Sequence, residues 1–192
     1  MMHRHFFPIV EGHGEQKALP LLIRRIFVET SPLTFPIVNP PIRVKSGSFL
    51  NDPDYFGKYV SYAADKAAQA GGEILILLDC EDDCPAKLGP SLLARAKNVR
   101  SDVPTTVVLA HREYETWFLA AAESLRGCGG LPADLSPPAA PELIRGAKEW
   151  LGRHMDQSYD PIIHQAAFTA RFDLSQAKTV PSFARFISKI LS

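Results

Sequence analysis

A chain of 192 residues, 46% hydrophobic and 22% charged, can bury one ordinary core and has the composition of a globular domain. Lys+Arg and Asp+Glu both number 21, so global charge selects neither nucleic acid nor a membrane surface, and only a local basic patch can do so. The three cysteines, Cys80, Cys84 and Cys128, form no C-x-x-C pair, which argues against a disulfide scaffold or zinc ribbon and for a reducing cytoplasm.

Met1-Met2-His3-Arg4-His5 leads straight into a short apolar run without a signal-peptide h-region. No apolar run approaches the roughly 20 residues of a membrane span, so no membrane association is expected. Residues 6–10 read as a first strand, and Glu11-Gly12-His13-Gly14 as a glycine turn. Ala18, Leu21, Leu22 and Ile26 recur at helical spacing, predicting a helix over 15–29. The proline-rich stretch 31–41 reads as a loop, 42–44 as a second strand and 46–54 as another loop. A helix is expected over 55–70, closed by Gly71-Gly72. Residues 73–78 read as the central strand, 88–99 as a helix and 105–110 as a β-branched strand. Residues 113–125 read as a helix and 127–141 as a Gly/Pro-rich linker without core residues. Helices are expected over 141–154, 161–171 and 181–191. Strands alternating with helices predict an α/β fold with a mostly parallel sheet of about four strands, flanked by helices. Its expected core is 1–126, with 127–192 a helical C-terminal extension packed on the same domain.

The most informative stretch is Leu75 to Pro85, where an apolar run ends in Asp79-Cys80-Glu81-Asp82-Asp83. In open α/β sheets ligands bind beyond the carboxyl ends of the strands. Four carboxylates in five residues repel one another unless they turn to water or share a cation, and Mg²⁺ takes oxygen ligands of this kind. Glu11 follows the first strand, and Glu113 and Glu115 follow the strand ending at Ala110. A parallel sheet brings all of these to one edge, where carboxylates around a metal activate water. Other readings stand beside this one. Glu11 also suits a helix start, and Asp82 and Asp83 suit a helix cap or a solvated turn. Glu113 and Glu115, two apart on a helix, face different ways, so at most one is expected in the site. His111 and His13 are additional candidates near the site. Trp117 and Phe118 are expected in the core, and Cys80 and Cys84 as small buried residues. Arg24-Arg25, Arg43-Lys45, Arg95-Lys97-Arg100 and Arg185-Lys189 are candidate phosphate contacts, each also readable as a solvated face. No aromatic stacking motif or recognition helix is evident.

Three motifs in order, Glu11-Gly12-x-x-Glu15, Asp79-x-Glu81-Asp82-Asp83-Cys84-Pro85 and Arg112-Glu113-x-Glu115-x-Trp117, resemble an uncharacterised bacterial TOPRIM-like family. That family is related to the topoisomerase–primase domain and the OLD-family nucleases. The segments Phe172-Asp173-Leu174 and Ser182-Phe183 add to the likeness. The resemblance implies a Rossmann-like fold and a Mg²⁺- or Mn²⁺-dependent nuclease or related phosphoryl-transfer enzyme acting on nucleic acid. A role in bacterial defence would accompany it. It implies Glu11 as general acid/base or metal ligand, and Asp79 and Glu81 as ligands to the ion. Glu15 would serve a second ion. Glu81 stands where the TOPRIM pattern has aspartate, and Asp83 is the candidate substitute. The alternative is a non-catalytic interaction module partnering an ATPase, since the chain lacks G-x-x-x-x-G-K-[ST]. A small-molecule phosphate-binding enzyme is a third reading.

Overall fold

The computed structural model describes residues 2–192; Met1 lies outside them. Five strands form the sheet: β1 (Met2–Val10), β2 (Thr34–Val38), β3 (Ile42–Arg43), β4 (Glu73–Asp79) and β5 (Thr105–Ala110). Their order is β2-β1-β4-β5, with β3 continuing along β1 beyond β2, and every pairing is parallel. The fold is therefore α/β, with a parallel sheet flanked by helices. Strand β4 is buried along almost its whole length, as its unbroken apolar run requires of a central strand covered on both faces.

One face carries α2 (Ser46–Asn51), α3 (Pro53–Ala70) and α4 (Pro85–Val99), packed on Ile9, Ile74, Ile76 and Leu78. The other carries α1 (His13–Thr30) and the C-terminal elements α5 (Thr116–Ala120), α6 (Ala147–His154), α7 (Pro161–Thr169), α8 (Leu174–Ala177) and α9 (Pro181–Leu191). Alternation along β1 sorts its residues: Phe6 and Val10 face the second group, Phe7 and Ile9 the first. Trp117 anchors the second core. It is fully buried, packs on Phe183 and Phe186, and its indole N–H donates to Ser182 Oγ at 3.0 Å. Gly71 ends α3 in the left-handed conformation (φ 62°) that a glycine adopts without Cβ strain.

Several segments differ from the sequence expectation, each for a tertiary reason. Part of the proline-rich stretch 31–41 is strand β2; Pro36 is tolerated there because β2 lies at the sheet edge. The Ser/Gly/Asn-rich segment 46–54 contains helix α2. Phe49 is buried against Phe56, and Arg95 donates to the terminal carbonyl of Leu50 at 2.8 Å, so packing overrides weak propensity. The expected helix over 113–125 begins only at Thr116 and ends in a 3₁₀ turn, Ala122–Leu125. The segment 141–154 likewise divides into a 3₁₀ turn, Pro141–Leu143, and α6. The linker 127–141 does contribute core residues, Leu131 and Leu135. Cys80 is buried, but Cys84 is exposed because it stands at the mouth of α4. Among the described residues no helix is long and apolar enough to cross a membrane.

Candidate functional site

Strands β1, β4 and β5 lie side by side and parallel, so their carboxyl ends share one edge. Glu11 leaves β1, Asp79 closes β4, and the turn carrying Glu113 and Glu115 follows β5. Glu15, Asp79, Glu113 and Glu115 are all buried. Asp79 Oδ1 accepts the N–H of Tyr114 at 2.8 Å, which ties the β5 turn to the tip of β4. Glu15 turns back over the start of α1, and its Oε2 accepts the N–H groups of Glu11 (3.1 Å) and Gly12 (3.0 Å).

The centre of the cluster is a lysine that the sequence reading missed. Lys148 Nζ lies 3.6 Å from Asp79 Oδ2, 3.5 Å from Glu113 Oε1 and 3.6 Å from Glu115 Oε2. All three separations exceed an ordinary hydrogen bond, so the ammonium shares its charge among three carboxylates. Lys148 sits in the first turn of α6, where the helix dipole disfavours a cation. A carboxylate offsets this: Glu113 Oε2 accepts the backbone N–H of Lys148 at 3.1 Å. A lysine at the start of a short helix was the one local signal of an unseen acidic partner. Tyr159 and Gln165 were missed too. Both donate to Glu115 Oε1, at 2.9 and 3.2 Å.

Glu113 and Glu115 both reach Lys148, contrary to the expectation that at most one would enter the site. The expectation assumed a helix, but the chain there is a turn. It is launched by Arg112 at φ 63°, opposite Glu81 at φ 48°. The Glu81 N–H donates to Arg112 O at 3.0 Å and the Arg112 N–H to Cys80 Sγ at 3.3 Å, so the two left-handed residues brace each other. Such backbone costs on the order of 1 kcal/mol or more per residue and persists only where the surroundings impose it.

Burial pushes the Glu115 carboxyl up to about 7, although Lys148 and Tyr159 pull it back. Burial, then the charge of Glu15, raises Asp79 well above the carboxylate range, with Lys148 again opposing. Burial also raises Glu15, against the two backbone N–H groups that it accepts. Burial opposes the charge on Lys148, but Glu115, Asp79, Glu113 and Glu15 outweigh it and raise its pKa. The cluster is thus one cation among an excess of carboxylates.

The remaining candidates lie further out. Glu81 is exposed; partial burial and then Glu113 raise its carboxyl. Asp83 is exposed and lines a separate shallow groove with Cys84 and Lys87. Asp82 pairs with Arg112 (2.7 Å) and Arg145 (2.9 Å). His13 is exposed on the rim of the site, and the buried Nδ1 of His111 has no hydrogen-bond partner. Of the basic candidates, Arg25 and Arg95 hold backbone carbonyls and Arg100 pairs with Asp65 and Asp102. Arg185 and Lys189 border a different, largely apolar cleft between α4 and β5.

A cavity of about 310 Å³ opens onto the cluster, lined by Glu11, Glu15, Asp79, Lys148, Ile162 and Gln165 among others. Two of its buried acceptors, Glu11 Oε2 and Gln165 Oε1, have no donor. Its wall depends on Gly14. A Cβ there would stand 2.1 Å from Gln165 Oε1 and 2.5 Å from the Pro161 carbonyl, so α1 and α7 approach this closely only over a glycine. Gly14→Ala is expected to destabilise the fold by about 1–3 kcal/mol. Urea unfolding measures it, and an unchanged midpoint would show that α7 shifts freely.

The chain matches, over residues 10–191, the family model described as Domain of unknown function (DUF4276). It belongs to that family. The matched span of this DUF4276 chain takes in every residue of the cluster, from Glu11 to Gln165, so the site falls within the family domain. No curated protein and no solved structure matches it.

Proposed function

We propose that this DUF4276 domain is a TOPRIM-like, Mg²⁺- or Mn²⁺-dependent nuclease or related phosphoryl-transfer enzyme acting on nucleic acid. One observation carries the reading: Glu11, Glu15, Asp79, Glu113 and Glu115 gather at the carboxyl edge of a parallel sheet with Lys148 as their cation. The donor chemistry suits a hard divalent cation, because the oxygens are carboxylate, negative charge is in excess, and Glu11 Oε2 is buried without a donor. The resemblance assigns Glu11, Asp79 and Glu81 to one ion and Glu15 to a second; Glu81 stands exposed, outside the cluster, in this arrangement. When bound, such an ion lowers the pKa of its water and neutralises charge on a phosphate.

Among the described residues, no three His, Cys, Asp or Glu side chains are grouped to hold an ion. The space between the carboxylates is closed by Lys148, which must turn outward for an ion to enter. Its side chain is 34% exposed and flexible enough to do so. Turned toward the cavity, its ammonium would meet a phosphate oxygen as a point charge. Tyr159 and Gln165 hold Glu115 by Oε1, the oxygen that does not face Lys148.

The same lysine favours a second reading. A cation shared among three carboxylates can be a self-contained structural centre, and the domain would then be a non-catalytic module working with a partner such as an ATPase. Calorimetry with Mn²⁺ separates the two. The enzyme reading expects saturable binding that falls at least 10-fold in Asp79→Asn and Glu11→Gln. It also expects Mg²⁺-dependent cleavage of a labelled oligonucleotide that both variants lose. Cleavage and binding unchanged in Asp79→Asn would overturn it.

A further inference from the structure

On the sheet face opposite α7, helix α3 carries an outward stripe of Tyr55, Lys58, Tyr59, Tyr62 and Lys66. The spacing i, i+3, i+4, i+7, i+11 places them on one side of the helix. The buried side is Phe56, Val60, Ala63, Ala64 and Ala67. Tyr55 and Tyr59 pack with ring centroids 4.6 Å apart and planes tilted by 47°, both half-buried, and Tyr62 is 50% exposed. The lysines lean on these rings: Lys58 lies 5.7 Å from the centre of Tyr59 and Lys66 4.6 Å from that of Tyr62. The stripe runs to the edge that holds the carboxylates. The N–H of Lys45 donates to the Tyr55 hydroxyl at 3.1 Å. Arg43 pairs with Val10, one residue before Glu11, and the Val44 N–H donates to Val10 O at 2.8 Å. Arg43, Lys45, Lys58 and Lys66 make no ion pair among the described residues, whereas Arg100, at the end of α4, makes two.

We infer that this stripe is a binding track for single-stranded nucleic acid, with bases stacking on Tyr55, Tyr59 and Tyr62 and phosphates meeting Arg43, Lys45, Lys58 and Lys66. The inference rests on the phosphoryl-transfer reading for its purpose, because the track leads along β3 to Glu11. Its chemistry is independent of that reading. Four cations without acidic partners attract a polyanion, in a chain whose overall charge gives no such attraction. The exposed ring of Tyr62 and the outer faces of the half-buried Tyr55 and Tyr59 offer nothing to a duplex whose bases are already stacked, but they can receive the unpaired bases of a single strand. The track predicts binding without sequence preference, since every base has a stacking face and no element is placed to enter a groove.

The test is fluorescence anisotropy with a labelled oligothymidylate of about 12 nucleotides, in chelator so that no cleavage occurs. Wild type is expected to bind, and Tyr55→Ala with Tyr59→Ala to weaken binding about 30-fold or more. Phenylalanine at both positions should restore it, which separates stacking from misfolding. Arg43→Ala and Lys58→Ala should each reduce the logarithmic salt slope by about 0.7. Equal affinity in wild type and the alanine double variant overturns the track, as does competition by duplex as effective as by single strand. Asp79→Asn leaves binding intact if the track is right, whatever happens to cleavage. Absent oligonucleotide binding together with Mn²⁺-dependent hydrolysis of bis(p-nitrophenyl) phosphate would overturn the track while the catalytic reading stands. Binding without any hydrolysis would do the reverse.

Discussion

Lys148→Met is expected to destabilise the protein by about 2–3 kcal/mol at pH 8. Removing one partner of a buried ion pair typically costs about 3–5 kcal/mol, and the 34% exposure of this side chain lets water screen part of that. Methionine keeps most of the apolar stem, so the loss reports the missing charge. At pH 5 the loss should shrink below about 1 kcal/mol. Burial has already raised Glu115, Asp79 and Glu15, and without the ammonium these carboxyls take up protons instead of repelling one another. Urea unfolding at both pH values measures the difference. Equal stabilities of the two proteins at pH 8 would exclude Lys148 as the counter-ion of the cluster. Millimolar Mn²⁺ extends the test. If carboxylates can exchange the ammonium for a metal, Mn²⁺ should raise the unfolding midpoint of the variant more than that of wild type. If the centre is structural, neither midpoint moves. On the enzyme reading, oligonucleotide cleavage falls about 100-fold or more, since a charge aimed at the reacting phosphate is lost.

Glu115 should make stability depend on pH in the opposite sense from an ordinary salt-bridged acid. Its carboxyl stands at about 7 in the folded protein against the ordinary 4.5. The folded state therefore binds the proton more tightly than the unfolded state. The stabilising contribution is fully present below about 4.5 and is lost as pH rises through about 7, a change on the order of 3 kcal/mol. Glu115→Gln removes that proton while leaving an oxygen to accept from Tyr159 or Gln165. The variant should exceed wild type in stability at pH 8, and the advantage should vanish toward pH 4.5. The difference between the two proteins, followed by urea unfolding across this range, isolates Glu115 from Asp79, which shifts in the same direction. Parallel curves would mean that Glu115 keeps its ordinary pKa and that the pocket formed by Tyr159 and Gln165 is wetter than the geometry implies.

The sequence by itself determined the α/β layout and the edge at which the acidic residues meet. The reason is local. Leu75 to Leu78 has no polar position and must be buried on both faces, and a parallel strand so covered delivers Asp79 to the sheet's carboxyl edge. The carboxylates Glu11 and Asp79 were legible for that reason, whereas Glu15 entered only through the TOPRIM-like resemblance. Trp117 was legible as core because an indole ring of that size finds burial almost wherever the chain folds. What the local pattern could not hold was anything decided by contact between distant segments. Strand β2 exists because the sheet edge accepts Pro36, and α2 because Phe49 and Arg95 anchor it. The inward turn of both Glu113 and Glu115 depends on the left-handed Arg112 braced against Glu81. Lys148 arrives from beyond a Gly/Pro-rich segment and reaches three carboxylates that lie up to 69 residues away in sequence. The tyrosine stripe on α3 read only as a helix until β3 placed Arg43 and Lys45 beside it. Hydrophobic periodicity is written into neighbouring residues, so it survives in the one-dimensional pattern. Charge compensation acts through space, and only the tertiary fold decided that an ammonium lies among these carboxylates.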